Sequence, residues 1–537
     1  MGIAKGAGRL LGLGLAALAC GPLAAAGRTQ AAPERKLKII NVGITNDPGT
    51  VSPLSVNNIM AYYASSILFM PLSAESLEEG FITRLAESIT TEDNRTFIIK
   101  VNRNVRWTDG LPVTSDDVIF TMNTFANPAV GIPDPSAYRI IAGTDESGLY
   151  PRGAGGLSGV RRIDNYTLSV ETKYPLTLAI FNLNISSMLR VIPKHILENE
   201  APEGILACPF FQKPHVSNGP FTFKEYAPSQ YLSLEANDDY FLGRPKIDRL
   251  NFKILSGPQI AAQLESGEID MNYPGVGNIP ADDYERISGL PHIRTTRGKP
   301  STVQVLFYNN RIIDRVAVRQ AMDLAIDRPG ILRNVFKGEA FITRTPVSNR
   351  IEYWNEEAAR YTYDPERARR ILAESGWDLS TKLTFLVPTG NNTRERVCTI
   401  IAENFKAIGL NVVIERADFP TTMSRIGRHD YGISIVGMPA NPFNAVRNLR
   451  YYADSKDAHT GYSNPRMDEL LDRINTSVDS AVLKAAYYEA QELIAEEAPV
   501  SGVYSELVLR AVNKRVRYGD LEDFGALRDL EQWDITE

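Results

Sequence analysis

The side chains that most often carry enzymatic chemistry are few in this sequence, and their spacing does not group them. No two of the five histidines stand three or four residues apart, the spacing that places side chains on one face of a helix; they are His195, His215, His292, His429 and His459. The sequence contains no Gly-x-Ser-x-Gly elbow, no His-Glu-x-x-His pair and no Gly-x-x-x-x-Gly-Lys-Ser/Thr loop. Signatures of serine hydrolysis, zinc catalysis and nucleotide binding are therefore missing.

Adjacent carboxylates, at Asp116-Asp117 and Asp238-Asp239, are the other candidates for acid–base chemistry. Neighbouring side chains at a helix start or in a turn point in different directions, so we expect capping and solvation from them. We predict that the protein is not an enzyme and uses no cofactor and no metal. An exported hydrolase, with a serine or paired carboxylates assembled from distant positions, is the remote alternative.

The composition narrows the class of partner. The 537 residues include 58 Lys and Arg against 64 Asp and Glu, a net charge of −6, with no long basic run. A mildly acidic chain of this kind is not expected to bind nucleic acid. Hydrophobic residues at 43% and charged residues at 23% are typical of a soluble globular protein, here long enough for several domains.

The first residues of the chain resemble an export signal. Lys5 and Arg9 precede an apolar or glycine run from Leu10 to Ala19, and the small residues Ala24 to Ala26 suit cleavage. We predict a signal peptide over residues 1–26 and export to the periplasm or to the outer face of the cytoplasmic membrane. An uncleaved membrane anchor is the alternative, although glycines and a proline interrupt the run.

The three cysteines raise two separate questions. Ala17-Leu18-Ala19-Cys20 resembles a bacterial lipoprotein box, with Ala17 where Leu is usual, so Cys20 is either acylated or removed with the signal. Cys208 and Cys398 then remain, and two cysteines so far apart in sequence do not form a disulfide framework. We expect two separate buried thiols, without excluding a bridge.

Hydrophobic periodicity predicts the helices and strands that position these side chains. The period changes repeatedly between two and 3.6 residues, which predicts mixed α and β structure. Thr114 and Asp117 form a capping-box pattern that opens a helix. Asp364-Pro365 and Asn464-Pro465 each read as an N-cap followed by proline at the first helical position. We interpret the glycine-rich stretch 143–159 as a surface loop.

Several stretches taken together are similar to the family 5 extracellular solute-binding proteins, the peptide and nickel receptors of ABC importers. Residues 105–118 read VRWTDGLPVTSDDV, close to the signature W-x-D-G-x-P-V-T-A-D-D-V of that family. The further matches occur in order at 218–221 (NGPF), 236–241 (ANDDYF), 267–270 (GEID), 319–328 (RQAMDLAIDR), 363–366 (YDPE) and 462–465 (YSNP). The resemblance covers about residues 38–515 and is strongest to oligopeptide-binding proteins.

This resemblance implies an α/β fold of the periplasmic-binding-protein type, with two lobes, a hinge and an extra subdomain on lobe I. Lobe I would take residues 34–75, 201–300 and 501–537, the extra subdomain 76–200, and lobe II 301–500. The implied function is the extracytoplasmic component of an ABC importer, which captures oligopeptides between the lobes by hinge closure. The implied partners are the permease and ATPase subunits at the membrane, and we expect a monomer.

The resemblance also assigns residues to the cleft: Asn46, Asp47, Asn272, Tyr273, Phe307, Gly437, Met438, Pro439 and Asn441. The segment 307–310 would be the strand that crosses near the hinge. In the segment 437–441, Met438 stands where peptide receptors of the family often have Trp, and Asn441 where an Asp pairs with the amino terminus of the ligand. Selection for a free amino terminus is therefore in question.

Two other readings of the binding fold stay open at this point. The ligand could be a non-peptide such as a metal chelate, an opine or an oligosaccharide, although few histidines are available for direct nickel ligation. The protein could also act as a sensor or adhesion protein without a transporter, which the sequence does not separate from a transport receptor.

Overall fold

The structure is a computed structural model that describes residues 36–76, 80–273, 275–298, 302–347, 351–360, 362–439, 445–456, 458–518, 527 and 529–536. The predicted signal peptide with Cys20 and the predicted cleft residue Asn441 lie outside these ranges. Within them, no helix is long and apolar enough to cross a membrane.

The first lobe is built on a seven-stranded mixed sheet with the order β12-β19-β11-β1-β10-β9-β8. Its strands are β1 (Ile39–Ile44), β8 (Phe221–Ala227), β9 (Tyr231–Ala236), β10 (Arg249–Ile254), β11 (Met271–Asn272), β12 (Ile293–Arg297) and β19 (Leu509–Asn513). Helices α1 (Ile59–Leu68), α5 (Gly257–Ser266) and α6 (Tyr284–Ser288) belong to this lobe. Strand β1 pairs in parallel with β10 on one side and with β11 on the other.

An extra subdomain follows α1 in the chain and carries a four-stranded antiparallel sheet with the order β4-β5-β7-β6. Its elements are the hairpin β2 (Ser73–Ser76) and β3 (Gly80–Thr83), β4 (Ala86–Thr90), β5 (Thr96–Val101), α2 (Ser115–Phe125), β6 (Val160–Asp164), β7 (Thr167–Glu171), α3 (Leu178–Phe181) and α4 (Lys194–Leu197). Its apolar residues, such as Phe97 and Trp107, join Ile40 and Phe252 of the first lobe in one hydrophobic core. The extra subdomain is therefore fixed to the first lobe.

The second lobe is built on a six-stranded sheet with the order β14-β18-β13-β17-β15-β16. Its strands are β13 (Thr302–Tyr308), β14 (Ala340–Ile342), β15 (Lys382–Pro388), β16 (Asn411–Ala417), β17 (Ile433–Pro439) and β18 (Val500–Glu506). The remaining two strands of the chain, β20 (Val516–Arg517) and β21 (Asp534–Ile535), form a small separate pair.

Helices cover both faces of this second sheet. They are α7 (Val316–Ala325), α8 (Arg328–Asn334), α9 (Glu356–Ala359), α10 (Pro365–Glu374), α11 (Asn392–Ala407), α12 (Phe419–Gly427), α13 (Ala445–Ala453), α14 (Pro465–Thr476) and α15 (Ser480–Glu497). Along β13, Leu306 and Tyr308 belong to one core and Val305 and Phe307 to another. Because alternate residues of a strand point to opposite faces, this sheet separates two cores.

Two chain segments connect the lobes, one between β12 and β13 and one between β18 and β19. They contact each other, since the Gly298 amide donates to the Val508 carbonyl at 3.0 Å. Strand β18 pairs with β13 and β14, so the second sheet extends to Glu506, beyond the boundary predicted at residue 500. This arrangement is the predicted two-lobed α/β fold with a hinge and an extra subdomain.

Local predictions from caps are confirmed. The Asp117 carboxylate accepts from the Thr114 amide at 2.9 Å and closes the capping box of α2. The side chains of Asp364 and Asn464 cap α10 and α14. Cys208 and Cys398 are free and buried, and they lie in different cores, which confirms the prediction of two separate thiols.

Candidate ligand-binding cleft

The register of the second sheet places the predicted segment 437–439 beside the hinge. Pro439 lies opposite Thr302, the first residue of β13 after the crossing segment, and Gly437 lies opposite Gln304. The carboxyl end of β17 therefore lies beside the start of β13, where the chain enters the second lobe. In open α/β sheets, ligands bind outside the carboxyl ends of strands, so this position suits a binding role.

Strand β17 carries an edge that no other strand covers near the hinge. Strand β15 pairs with β17 only at Ile433 and Ser434. From Ile435 to Pro439, the side of β17 that faces away from β13 has no strand partner among the described residues. Ile435 and Val436 are buried and the Pro439 carbonyl accepts from the Asn448 side chain at 2.6 Å, so Gly437 and Met438 are the positions left for an added chain. Backbone amides and carbonyls on such an edge can pair with an added extended chain.

Gln304 lies next to this open edge and was not predicted from the sequence. Its side chain is 8% exposed, and its Oε1 atom is buried without a hydrogen-bond partner in the part of the chain that the structure describes. A Cβ placed on Gly437 would come within 2.9 Å of Gln304 Nε2. Glycine at position 437 thus leaves room for a polar side chain that crosses the strand. The signal in the sequence was a glutamine inside the apolar run Val303–Phe307.

On the first lobe, Asn272 stabilises the cleft wall through its side chain. Asn272 is fully buried, and its amide donates to the carbonyls of Gly277 and Leu509 at 2.9 Å each. Its Oδ1 accepts from the Ala511 amide at 2.8 Å. These bonds join the end of β11 to the start of β19, just after the second crossing segment. The Asn272 side chain is therefore used inside the protein.

Tyr273, the next residue, belongs to a row of three tyrosines. Its ring centroid lies 4.9 Å from that of Tyr63, which lies 5.6 Å from that of Tyr62. Burial raises the pKa of Tyr273 well above its usual range, so the phenol stays neutral. Tyr62 and Tyr63, on α1, were missed in the sequence because aromatic pairs on a helix are common in cores.

Asp47 fixes the loop that follows β1. Its carboxylate accepts from the Gly49 amide at 2.8 Å, from the Ser229 amide at 2.6 Å and from the Tyr226 hydroxyl. Burial favours the neutral acid, but these donors outweigh it and hold the pKa of Asp47 below its ordinary value. Asn46 is exposed, and its Oδ1 accepts from the Thr45 hydroxyl at 2.9 Å. Asn46 thus remains available at the surface, whereas Asp47 is bonded internally.

Phe307 lies apart from the other predicted residues. The crossing segment ends before Thr302, so Phe307 is near the far end of β13, and the segment 307–310 is not the crossing strand. Its side chain is fully buried, with its ring 5.7 Å from that of Tyr452 and 5.9 Å from that of Tyr451. Phe307 packs in the core of the second lobe. Because helices cover both faces of this sheet, a side chain on its central strand β13 is buried whichever face it points to.

The two lobes also meet outside the crossing segments. Asp134 of the extra subdomain lies 3.5 Å from Arg447 at the start of α13. Near the hinge, Asp282 of the first lobe lies 2.8 Å from Lys337 of the second. The lobes therefore touch at two separate places. Tyr273 and Met438 are buried in the cores of the first and the second lobe, respectively. No cluster of three metal-ligating side chains occurs within the described ranges.

Comparisons with known proteins agree with this geometry. The family model of the bacterial extracellular solute-binding proteins, family 5 Middle, matches residues 80–460, which is more than half of the chain. The oligopeptide-binding protein AppA of Bacillus subtilis is 25% identical over 490 residues, covering 86% of this chain and 85% of AppA.

Solved structures share the fold. The structure of Bacillus subtilis AppA in complex with a nonapeptide has a TM-score of 0.81 and 22% identity, and the match covers 94% of this chain and 100% of AppA. NikZ of Campylobacter jejuni in complex with Ni(L-His) has a TM-score of 0.76 and 19% identity, covering 92% of this chain and 99% of NikZ. The two-lobed fold with its hinge and the solute-binding role predicted from the sequence are thereby confirmed. The chain belongs to the bacterial extracellular solute-binding proteins of family 5.

Proposed function

We propose that the protein captures oligopeptides between its lobes and delivers them to the permease and ATPase subunits of an ABC importer. The observation that carries this proposal is the edge of β17 from Gly437 to Pro439, which no strand of the described chain covers and which is partly exposed. An extended peptide presents unpaired amides and carbonyls, and pairing them with a strand edge binds the backbone whatever the side chains are. The peptide-binding relative AppA supports the same ligand class.

Binding proceeds through hinge closure in this proposal. The lobe on the seven-stranded sheet with its extra subdomain and the lobe on the six-stranded sheet, which includes β18 up to Glu506, move about the two crossing segments. Closure excludes water and strengthens each hydrogen bond to the ligand. The ligand shifts the equilibrium towards the closed form, which the permease then recognises. No bond is made or broken, and the receptor acts as a monomer outside the cytoplasmic membrane, either free after cleavage of residues 1–26 or held there by a lipid on Cys20.

Recognition of the ligand's amino terminus is weak in this proposal. Asn441 offers an amide where peptide receptors of the family often offer a carboxylate, and a charge-assisted hydrogen bond is roughly twice as strong as a neutral one. We expect an N-acetylated peptide to bind within about threefold of the free amine. The substitution Asn441→Asp should restore a preference for the free amine, measured by titration calorimetry with the two peptides.

Native mass spectrometry of the mature protein, purified from its own exported compartment without refolding, tests the ligand class. A ladder of adducts with peptide masses supports the proposal, and a single non-peptide adduct such as a metal chelate contradicts it. The same spectrum gives the mature N-terminal mass and shows whether Cys20 carries lipid. Absence of turnover of a labelled peptide would separate a receptor from a hydrolase.

Backbone N-methylation of a bound peptide tests the mode of binding. Alternate amides of an extended peptide point to one side, so methylation of one alternate set should remove the bonds to β17 and abolish binding. Methylation of the other set should be tolerated. The matched pair has the same mass and side chains, and equal affinities for both would contradict strand pairing.

A further inference from the structure

Arg190 differs from the other buried arginines of the described chain in having no anionic or carbonyl partner. Three arginine side chains are buried there: Arg190, Arg319 and Arg328. Arg328 donates to Asp323 at 2.6 Å, and Arg319 donates to four backbone carbonyls, including that of Glu497 at 2.9 Å. Arg190 is 3% exposed, yet its Nε and Nη1 atoms have no hydrogen-bond partner.

The surroundings of Arg190 are aromatic. Its guanidinium carbon lies 4.4 Å from the centre of the Tyr62 ring, which forms a cation–π contact. Burial lowers the pKa of Arg190, and the Tyr62 phenol, through its charge and hydrogen bonding, and the Tyr138 phenol offset part of this effect. No carboxylate of the described residues forms an ion pair with it. A buried guanidinium with unused donors in such surroundings calls for an anion from outside the fold.

The position of Arg190 connects it to the cleft. Tyr62, beneath its guanidinium, begins the row of tyrosines that ends at Tyr273 beside the hinge. The Tyr138 phenol also acts on Arg190, and Tyr138 lies four residues after Asp134, which contacts Arg447 of the second lobe. Arg190 therefore lies where the extra subdomain packs against α1, at the end of the tyrosine row that runs to Tyr273.

We infer that Arg190 is an anion-binding group of the cleft, which holds a carboxylate of the bound ligand through its free Nε and Nη1 donors while the guanidinium stacks on the Tyr62 ring. This inference rests on the proposed capture of peptides, whose carboxylate comes from the C-terminus or from an acidic side chain. The planar guanidinium suits the two oxygens of a carboxylate.

The test compares three probes: a peptide without acidic side chains as the free acid, the same peptide as the C-terminal amide, and the amide with one residue replaced by Glu. Wild-type protein should bind one of the two acidic probes about tenfold more tightly than the neutral amide. The acidic probe that binds more tightly than the neutral amide shows whether the carboxylate comes from the C-terminus or from an acidic side chain. Arg190→Met should bind all three probes with equal affinity, and Arg190→Lys should keep part of the preference.

Arg103→Met is the matched control, because Arg103 is exposed and lies 4.9 Å from the centre of the Tyr166 ring in the same subdomain. Arg103→Met changes the net charge by the same amount as Arg190→Met. The Arg103→Met variant should keep the full preference for the acidic probe over the neutral amide. Without ligand, Arg190→Met should unfold at the same temperature as wild type or higher, since removal of a buried charge that has no anionic partner offsets the loss of the contact with Tyr62. A lower unfolding temperature together with an unchanged preference would show a purely structural role and overturn the inference.

The outcomes separate this inference from the proposed function. Equal binding of all three probes by the wild type overturns the inference and leaves peptide capture standing. If the wild type binds none of the probes, peptide capture fails. The molecule that copurifies with the protein then tests whether Arg190 binds an anion. An acidic molecule that is lost in Arg190→Met supports Arg190 as the anion-binding group, whereas a neutral molecule, or one that Arg190→Met retains, overturns it.

Discussion

Asp323 connects three parts of the second lobe through a buried carboxylate. It is 1% exposed and lies 2.6 Å from Arg328 Nη2 and 2.7 Å from Arg344 Nε, and it accepts from the Ser501 hydroxyl at 2.8 Å. Burial alone would raise its pKa, but the two arginines outweigh that effect and hold the pKa of Asp323 below its ordinary value. A buried ion pair thus accounts for the presence of Asp323 and Arg328 in the 319–328 motif.

Asp323→Asn should lower the free energy of unfolding by about 3 kcal/mol, because it leaves the fully buried Arg328 without its anion. Since the carboxylate pKa is depressed in the folded protein, the stabilisation exists above the unfolded pKa and is lost as pH falls through the folded value. The free energy of unfolding, measured with urea from pH 7 to pH 3, should therefore fall less in acid for Asp323→Asn than for the wild type. Glu403→Gln, at an exposed pair on α11, is the control, and an equal loss there would contradict the prediction.

The pKa of Glu506 is shifted in the opposite direction to that of Asp323, because burial disfavours the charged form of its carboxylate. It ends β18 beside the hinge, and its Oε1 is buried without a hydrogen-bond partner among the described residues. Burial raises the pKa of Glu506 to about 7, and the positive charge of Arg394 offsets part of that effect. The folded protein therefore holds a proton on Glu506 at pH values where the unfolded chain has released it.

Glu506→Gln should stabilise the protein at pH 8 by about 2 kcal/mol and change little at pH 4. A raised carboxylate pKa makes stability fall as pH rises from the ordinary value of 4.5 to about 7, and glutamine removes this slope. Thermal unfolding of both proteins across this pH range measures it. Parallel curves for wild type and variant would show that Glu506 ionises freely.

At the scale of elements, the 218–221 motif holds the end of α1 against the first sheet. The amides of Asn218 and Gly219 donate to the Leu68 carbonyl at 3.1 and 3.0 Å, and Asn218 Oδ1 accepts from the Met70 amide at 2.7 Å. A Cβ at position 219 would lie 1.8 Å from the Ile67 carbonyl oxygen. Only glycine permits this approach of the segment before β8 to the end of α1.

Gly219→Ala should therefore lower the free energy of unfolding by about 1–3 kcal/mol, because α1 or the strand must shift. Gly204→Ala is the matched control, since nothing lies within 4 Å of a Cβ at that position. Because α1 carries Tyr62 and Tyr63, the first variant should also weaken ligand binding. Chemical unfolding and calorimetry of the two variants measure both effects, and identical behaviour would refute the close packing.

Local signals predicted the elements better than the site. The caps at Thr114, Asp364 and Asn464 act within three residues of sequence, and all three helices begin where predicted. The role of Asn272 depends on Leu509 and Ala511, more than 200 residues away, which no local pattern encodes. Arg190 lies in the apolar run Leu189–Ile192, and its lack of a partner is visible only once three elements surround it.

For the molecule as a whole, the balance between open and closed lobes should depend on contacts that form only on closure. Asp134 and Arg447 connect the two lobes at a distance of 3.5 Å, with both side chains more than half exposed, and we expect opening of the lobes to separate them. An exposed pair contributes little to folding, but here its attraction acts on the relative position of two lobes. Ligand binding and closure are linked, so a change in this contact changes the apparent affinity.

Reversal of either charge, as Asp134→Lys or Arg447→Glu, should weaken ligand binding about threefold by placing like charges across the closed cleft, and the double reversal should restore it. Unfolding of the ligand-free protein should be the same for all four proteins. Small-angle scattering should show the ligand-induced decrease in radius of gyration for wild type and double variant, with higher ligand concentrations needed for the single variants. Additive losses in the double variant would mean that the two side chains act separately, and closure would then depend on the hinge and the ligand alone.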